Sequence, residues 1–330
     1  MSLTLPGPFN LITITPLTDT SPLPLLVTPR DSTNSWADCF DEIKQLVEHS
    51  LTVFGGLLFR GFGVDGEHDF NDFVLGFDHE LLSYDYASTP RSEVSKGVYT
   101  STEYPSHQVI PLHNEQAYTL NWPLKIWFHC VTASPIGGET PIADSRLIYQ
   151  KIDEAVKNKF TEQGLLYVRN YGNGLDLPWQ EAFNTTSKAH VEQFCQDNKI
   201  SYQWKDDGEL QTRQVCQAVA KPPTSGEMVW FNQAHLFHIS NLEPNIRETL
   251  VSIVGEENLP RNVYYGDGSP INNQTLSHVR QVLDECQVAF SWQSGDILML
   301  DNMLVAHGRN TFEGPRKVVV AMAEPFNSQE

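Results

Sequence analysis

A mainly β protein with peripheral helices, built on a double-sheet antiparallel core, is the architecture this sequence predicts. Short runs rich in β-branched and aromatic residues outnumber the segments with helical spacing. Turn residues separate those runs, without the strand-helix alternation of a parallel sheet. With no internal repeat and no low-complexity tract, the 330 residues read as one domain with a core from about 52 to 322.

Taken in order, residues 1–34 are rich in Pro, Thr and Leu and read as an extended N-terminal extension. Ser35 then caps a helix to about His49, because Trp36, Phe40, Ile43, Leu46 and Val47 recur at helical spacing. A buried strand follows from Thr52 to Phe62, with Gly55 and Gly56 permitting a bulge or close approach, and then a helix from about Glu67 to Phe77. From Leu82 to Ile110 the chain is polar, aromatic and irregular, the composition of a binding loop.

Lys125–Thr132 has strand character, and the Gly137-Gly138 turn leads to another short strand. Asp144 or Ser145 caps a helix to about Phe160, and Gly164–Tyr171 resumes the strand pattern. Residues 172–226 read as a helical and loop insertion: a helix over Lys188–Gln196, then strands over Ile200–Trp204 and Leu210–Val219. Beyond it come a strand at Glu227–Gln233, a helix at Gln274–Cys286, and strands at Gln287–Trp292, Gly295–Asp301 and Lys317–Met322.

Composition narrows the function class. Hydrophobic residues make up 40% and charged residues 19%, ordinary for a folded globular protein. The formal charge of −19 repels phosphate backbones and anionic lipid, which argues against nucleic acid and membrane as partners. Five scattered cysteines, with no C-x-x-C pair, suit a reducing compartment. With no recognisable signal peptide and no apolar run near the ~18 residues of a membrane span, the expected location is the cytoplasm.

The chemistry gathers on Pro111-Leu112-His113-Asn114-Glu115. If this stretch is extended, His113 and Glu115 project from one face and present a nitrogen and an oxygen ligand to one metal ion. Far downstream, His307 follows a strand and completes a 2-His-1-carboxylate set, the iron(II) arrangement that leaves open coordination positions. Arg316 begins the next strand and offers a planar guanidinium to a carboxylate at the metal, and Thr140 adds a hydroxyl. His235 and His238 lack a third ligand in a convincing pattern, so they and His129 are read as structural.

Together His113-Asn114-Glu115, Gly137 to Asp144 (GGETPIAD), Gly295 to Asn302 (GDILMLDN) and His307 to Arg316 (HGRNTFEGPR) resemble the iron(II)/2-oxoglutarate-dependent oxygenases of the taurine dioxygenase superfamily. Glu115 in place of Asp, with Trp230 to Gln233 (WFNQ), is closer to its clavaminate synthase-like members. The resemblance runs from about Thr52 to Met322. It implies a double-stranded β-helix, or jelly roll, with iron on His113, Glu115 and His307 and the distal carboxylate of 2-oxoglutarate on Thr140 and Arg316. Arg309 and Lys317 are alternatives for that last role.

The reaction so implied consumes 2-oxoglutarate and O2, releases succinate and CO2, and oxidises, most simply hydroxylates, an unactivated C–H bond. The expected substrate is an amino acid or amino-acid-derived metabolite, free or tethered to a carrier protein. Candidates for touching it are Arg309, Arg91, Asn114, Tyr118 and Asn302. The competing reading is a non-oxidative metal-binding jelly roll, a zinc hydrolase or isomerase or a silent binding protein. That reading leaves Thr140 and Arg316 without a role.

Overall fold

The computed structural model describes residues 6–18, 21–82, 93–95, 97–101, 104–172 and 174–329. Its major sheet has eight strands, in the spatial order Ile12–Thr18, Ser21–Pro29, Gly56–Phe59, Ile297–Asp301, Asn121–Thr132, Lys317–Asn327, Val98–Thr100 and Glu93–Ser95. A minor sheet of three strands, Ile110–His113, Val305–Arg309 and Ile142–Asp144, packs against it.

Alternation of side chains explains the layering. From the major sheet, Leu58, Phe128, Leu298, Leu300, Val318 and Val320 share one buried cluster with Ile142 and Val305 of the minor sheet. Their neighbours Leu57, Phe59, Trp127, Ile297, Met299 and Val319 face the opposite way, into a cluster with the helices Trp36–Phe54 and Gly66–Leu75. The outer face of the minor sheet, through Leu112, Ala143 and Ala306, packs with Ile148, Phe160, Val279 and Leu283. Helices therefore cover both outer faces, and the space between the sheets is left for a site.

The 1–34 lead-in departs from expectation: it holds two antiparallel strands, and Ser21–Pro29 pairs in parallel with Gly56–Phe59. Leu23, Leu25 and Val27 are buried in alternation there, a pattern the interleaved prolines hide. The first helix begins as predicted. Ser35 accepts from the Asp38 amide and donates its own amide to the Asp38 carboxylate, a reciprocal cap. It runs to Phe54, past the expected end, until Gly55 turns left-handed at φ +80°.

Two further expectations fail locally. The helix predicted to Phe160 is two, Ser145–Lys151 and Glu154–Gln163, and Asp144 caps the first through the Arg146 amide. Gln287–Trp292 is no strand; Val288 makes a single bridge to Ile142. Within 172–226, Ser201–Trp204 and Leu210–Cys216 join Leu165–Tyr171 and Arg261–Tyr265 in a separate four-stranded sheet. Among the described residues no helix is long and apolar enough to cross a membrane.

Candidate metal centre and cleft

The strands Ile110–His113 and Val305–Arg309 pair so that His113 lies directly opposite His307. Because Leu112 and Ala306 point outward into the helical layer, both imidazoles point into the space between the sheets. Their ring centroids are 4.6 Å apart, and Phe128 of the major sheet lies 4.9 Å from His307.

Glu115 is not on the strand. Pairing ends at His113 and the chain turns, with Gln116 left-handed at φ +57°. The expectation of one extended segment through Glu115 is corrected accordingly. The turn nonetheless delivers the carboxylate: one ligand atom from each of His113, Glu115 and His307 lies within 4.8 Å of the others.

Asn302, fully buried, fixes that turn. Its Oδ1 accepts from the Glu115 amide at 2.7 Å, while Nδ2 donates to Glu115 O at 3.0 Å and Pro123 O at 2.9 Å. Asn114 in turn donates to Asn302 O at 2.6 Å, and Gln233 holds Asn114 O at 2.8 Å. His113 Nδ1 lies 2.8 Å from Pro111 O; a proton donated there puts the lone pair a metal would take on Nε2. Two imidazoles and a carboxylate so held form a donor set that fits iron(II).

His235 buttresses the same strand from behind. Its Nε2–H donates to Leu112 O at 2.8 Å, and complete burial pulls its pKa down to about 3. The folded protein keeps this imidazole neutral, whereas the unfolded chain protonates it below about pH 6.5. His235 therefore contributes stability in full above that pH and loses it on acidification, by about 1.4 kcal/mol per pH unit until its folded pKa. Chemical denaturation from pH 7 to 4 is expected to show this slope, flattened in His235→Gln.

Thr140 and Arg316 line a small cavity with His113, His307 and Phe128. Thr140 Oγ1 accepts from Trp292 Nε1 at 3.0 Å, so its own O–H is left to donate. Arg316 donates Nε–H to Gly138 O at 3.0 Å; burial first, and the Arg309 charge second, pull its pKa down to about 10. A desolvated cation of this kind is an anion site. Gly138 makes room for it, at φ +78° with an added Cβ only 2.9 Å from Arg316 Cδ. Gly138→Ala is expected to displace Arg316 and raise KM for 2-oxoglutarate about tenfold in steady-state titration, with a smaller effect on Tm.

The other cations near that cavity are committed elsewhere. Arg309 donates to the carbonyls of Tyr104, Pro105 and Gln108 at 2.7–2.9 Å, clamping that segment. Lys317 pairs with Glu67, and its side chain is half exposed. Asn114, Tyr118 and Asn302 are buried: the two amides hold the Glu115 turn, and Tyr118 packs on Tyr167 and Phe237. Arg91 lies outside the described residues.

What sequence reasoning missed is the wall of the open cleft beside His113 and Glu115, about 620 Å³ in volume. Gln233, Phe237, Glu243, Ile246 and Arg261 line it. Arg261 is held through Nε and Nη2 by Asp176 at 2.7 and 2.8 Å, and Asp176 also lies 3.7 Å from Arg169. Burial works to raise the Asp176 carboxyl, but the Arg261 hydrogen bonds and both arginine charges outweigh it and hold it low. The helix Pro244–Val254 that contributes Ile246 has both signals in its sequence, Pro244 at its first turn and Ile246, Leu250, Ile253 and Val254 at helical spacing, yet it buries none of its residues.

Comparison with known proteins agrees with this geometry. Residues 14–322 match the family described as taurine catabolism dioxygenase TauD, TfdA family. The chain is 41% identical over 312 residues to dapdiamide synthesis protein DdaC of Enterobacter agglomerans, covering 94% of each. To a clavaminate synthase-like protein of Arabidopsis thaliana it is 31% identical, covering 96% of this chain and 94% of the other. Two structures of PvcB, one from Pseudomonas aeruginosa and one described as an Fe, alpha-ketoglutarate dependent oxygenase from an isonitrile synthetic pathway, give TM-scores of 0.58 and 0.59. At 16% identity, over 99% of this chain and 98% of theirs, these show a shared fold. The chain belongs to the taurine dioxygenase superfamily, in its clavaminate synthase-like branch, and is an iron(II)/2-oxoglutarate-dependent dioxygenase.

Proposed function

We propose that residues 1–330 form one oxygenase domain whose facing sheets make a double-stranded β-helix, and that it hydroxylates an unactivated C–H bond of an amino-acid-derived small molecule. His113, Glu115 and His307 hold iron(II). Thr140 and Arg316 hold the distal carboxylate of 2-oxoglutarate. When bound, iron and 2-oxoglutarate supply the oxidising power from O2, with succinate and CO2 as products.

The chain's own residues divide the remaining work. Arg316 and the Thr140 hydroxyl orient the cosubstrate from the inner cavity. Glu115 and His113 border the open cleft, so a substrate seated there has one end at the metal centre. Phe237 and Ile246 offer apolar contacts, and Gln233, Glu243 and Arg261 polar ones. At about 620 Å³ the cleft suits a molecule larger than a free amino acid. Dapdiamide synthesis in the 41% identical relative favours amino-acid derivatives as the class, whether free or tethered to a carrier protein.

The observation that carries the proposal is the pairing of His113 with His307 across two strands, with Glu115 turned in beside them and Arg316 in the adjoining cavity. A non-oxidative zinc site would use the three ligands alone and leave that buried guanidinium without a purpose. Anaerobic addition of iron(II) and 2-oxoglutarate is expected to give a visible charge-transfer band, followed in air by slow succinate formation. Absence of both would sink the proposal.

A further inference from the structure

Away from the metal cleft, where the helix Trp36–Phe54 passes the ends of Asn121–Thr132, Ile297–Asp301 and Lys317–Asn327, lies a second cavity of about 270 Å³. It shares no lining residue with the cleft or with the Arg316 cavity. We propose that it is a separate small-molecule site that takes a primary ammonium group on an apolar body, with Asp301 as the counter-ion.

Asp301 is 9% exposed and lines the cavity. Its Oδ1 accepts the amides of Met303 and Leu304 at 2.9 and 3.1 Å, and Oδ2 has no hydrogen-bond partner among the described residues. Val47, Leu51, Phe77, Leu124 and Met303 supply the apolar walls. Burial pushes the carboxyl up to about 6. An ionised carboxylate in such walls is costly without a cation beside it.

The protein's own cations make no ion pair with it, although Lys44 and Lys125 line the same cavity and the Arg146 and Lys125 charges partly offset the effect of burial. Lys125 is the residue directly opposite Asp301 on the neighbouring strand, yet it donates to Glu324 at 2.5 Å and to His79 at 3.1 Å instead. Glu324 reaches both Lys125 and His79 from a left-handed backbone, φ +58°, which is strained for a glutamate in a strand. Lys44 is drawn to Asp78 and to Gly76 O. Arg146 is taken by Asp144 and Glu227. Among the described residues, Lys44, Lys125 and Arg146 thus each pair with a group other than Asp301, and the cavity it lines has room for an external ammonium.

The test is calorimetric titration of the full chain with 3-methylbutylamine, using 3-methylbutan-1-ol as the uncharged control of the same shape. Saturable amine binding is expected, weakened about tenfold or more in Asp301→Asn, where the side-chain oxygen still accepts the two amides. Glu324→Gln releases Lys125 toward Asp301 and is expected to weaken the amine as well, which keeps the test open if the first variant folds poorly. Saturating 2-oxoglutarate with iron(II) should leave the amine affinity unchanged. Equal affinity for the alcohol, displacement by 2-oxoglutarate, no saturation, or an amine affinity unmoved in both variants would overturn the proposal.

Discussion

His307→Ala is expected to lower iron(II) affinity by at least ~100-fold and to abolish turnover of 2-oxoglutarate. Losing an outer-sphere partner of a metal ligand already costs 10- to 100-fold, and here a proposed ligand itself is removed. The remaining pair, His113 and Glu115, come from a single strand end and the turn after it. In the proposed site His307, across the strand pair, ties the metal to the second strand. Iron retained after desalting, measured beside Tm, separates the two ways such a variant can fail. A folded protein that has lost iron supports the assignment, and a folded protein with full iron and activity refutes it. His113→Ala should behave alike.

How much of this was legible follows from where the information lies. The proposed ligands His113 and His307 are readable from short motifs, HNE at 113–115 and HGR at 307–309, whereas the strands Ile110–His113 and Val305–Arg309 that bring them opposite one another are too short to show a pattern. The Glu115 turn was less so. Its geometry depends on Asn302, distant in sequence and recognisable only once its amide is seen holding both polar groups of the Glu115 backbone. Asn114, Tyr118 and Asn302 were polar or aromatic and near the motifs, which made them look like substrate contacts. All three are buried, and the two amides hold the Glu115 turn.

The cleft wall was the least legible part. Arg261 owes its position to Asp176, a carboxylate from a loop with no strand or helix signal around it. The helix Pro244–Val254 has an apolar stripe through Ile246, Leu250, Ile253 and Val254, but Ile246 is 56% exposed, so a pattern that ordinarily marks a core-facing helix here borders an open cleft. Prolines hid the N-terminal strands in a similar way, since Pro22, Pro24 and Pro29 interrupt the alternation of Leu23, Leu25 and Val27. In each case the deciding contact is long-range, and local pattern carries no record of it.

Arg316→Met should raise KM for 2-oxoglutarate by about 30-fold or more, since truncating one partner of a buried charge pair costs roughly 2–5 kcal/mol. The starting point is a guanidinium already disfavoured: burial and the nearby Arg309 charge hold its pKa near 10, below the ordinary arginine value. A dicarboxylate relieves that cost on binding. 2-Oxoglutarate at a hundred times its Kd should therefore stabilise the wild-type protein by about 2.7 kcal/mol and lose most of that effect at the same concentration in the variant. Arg316→Lys keeps the charge but not the fork, and should fall between the two. Arg309→Met supplies the contrast. Its guanidinium holds the carbonyls of Tyr104, Pro105 and Gln108, and Tyr104 and Gln108 line the cleft, so the expected loss is in substrate KM. If Arg309→Met raised KM for 2-oxoglutarate more than Arg316→Met did, the two arginines would have to exchange roles.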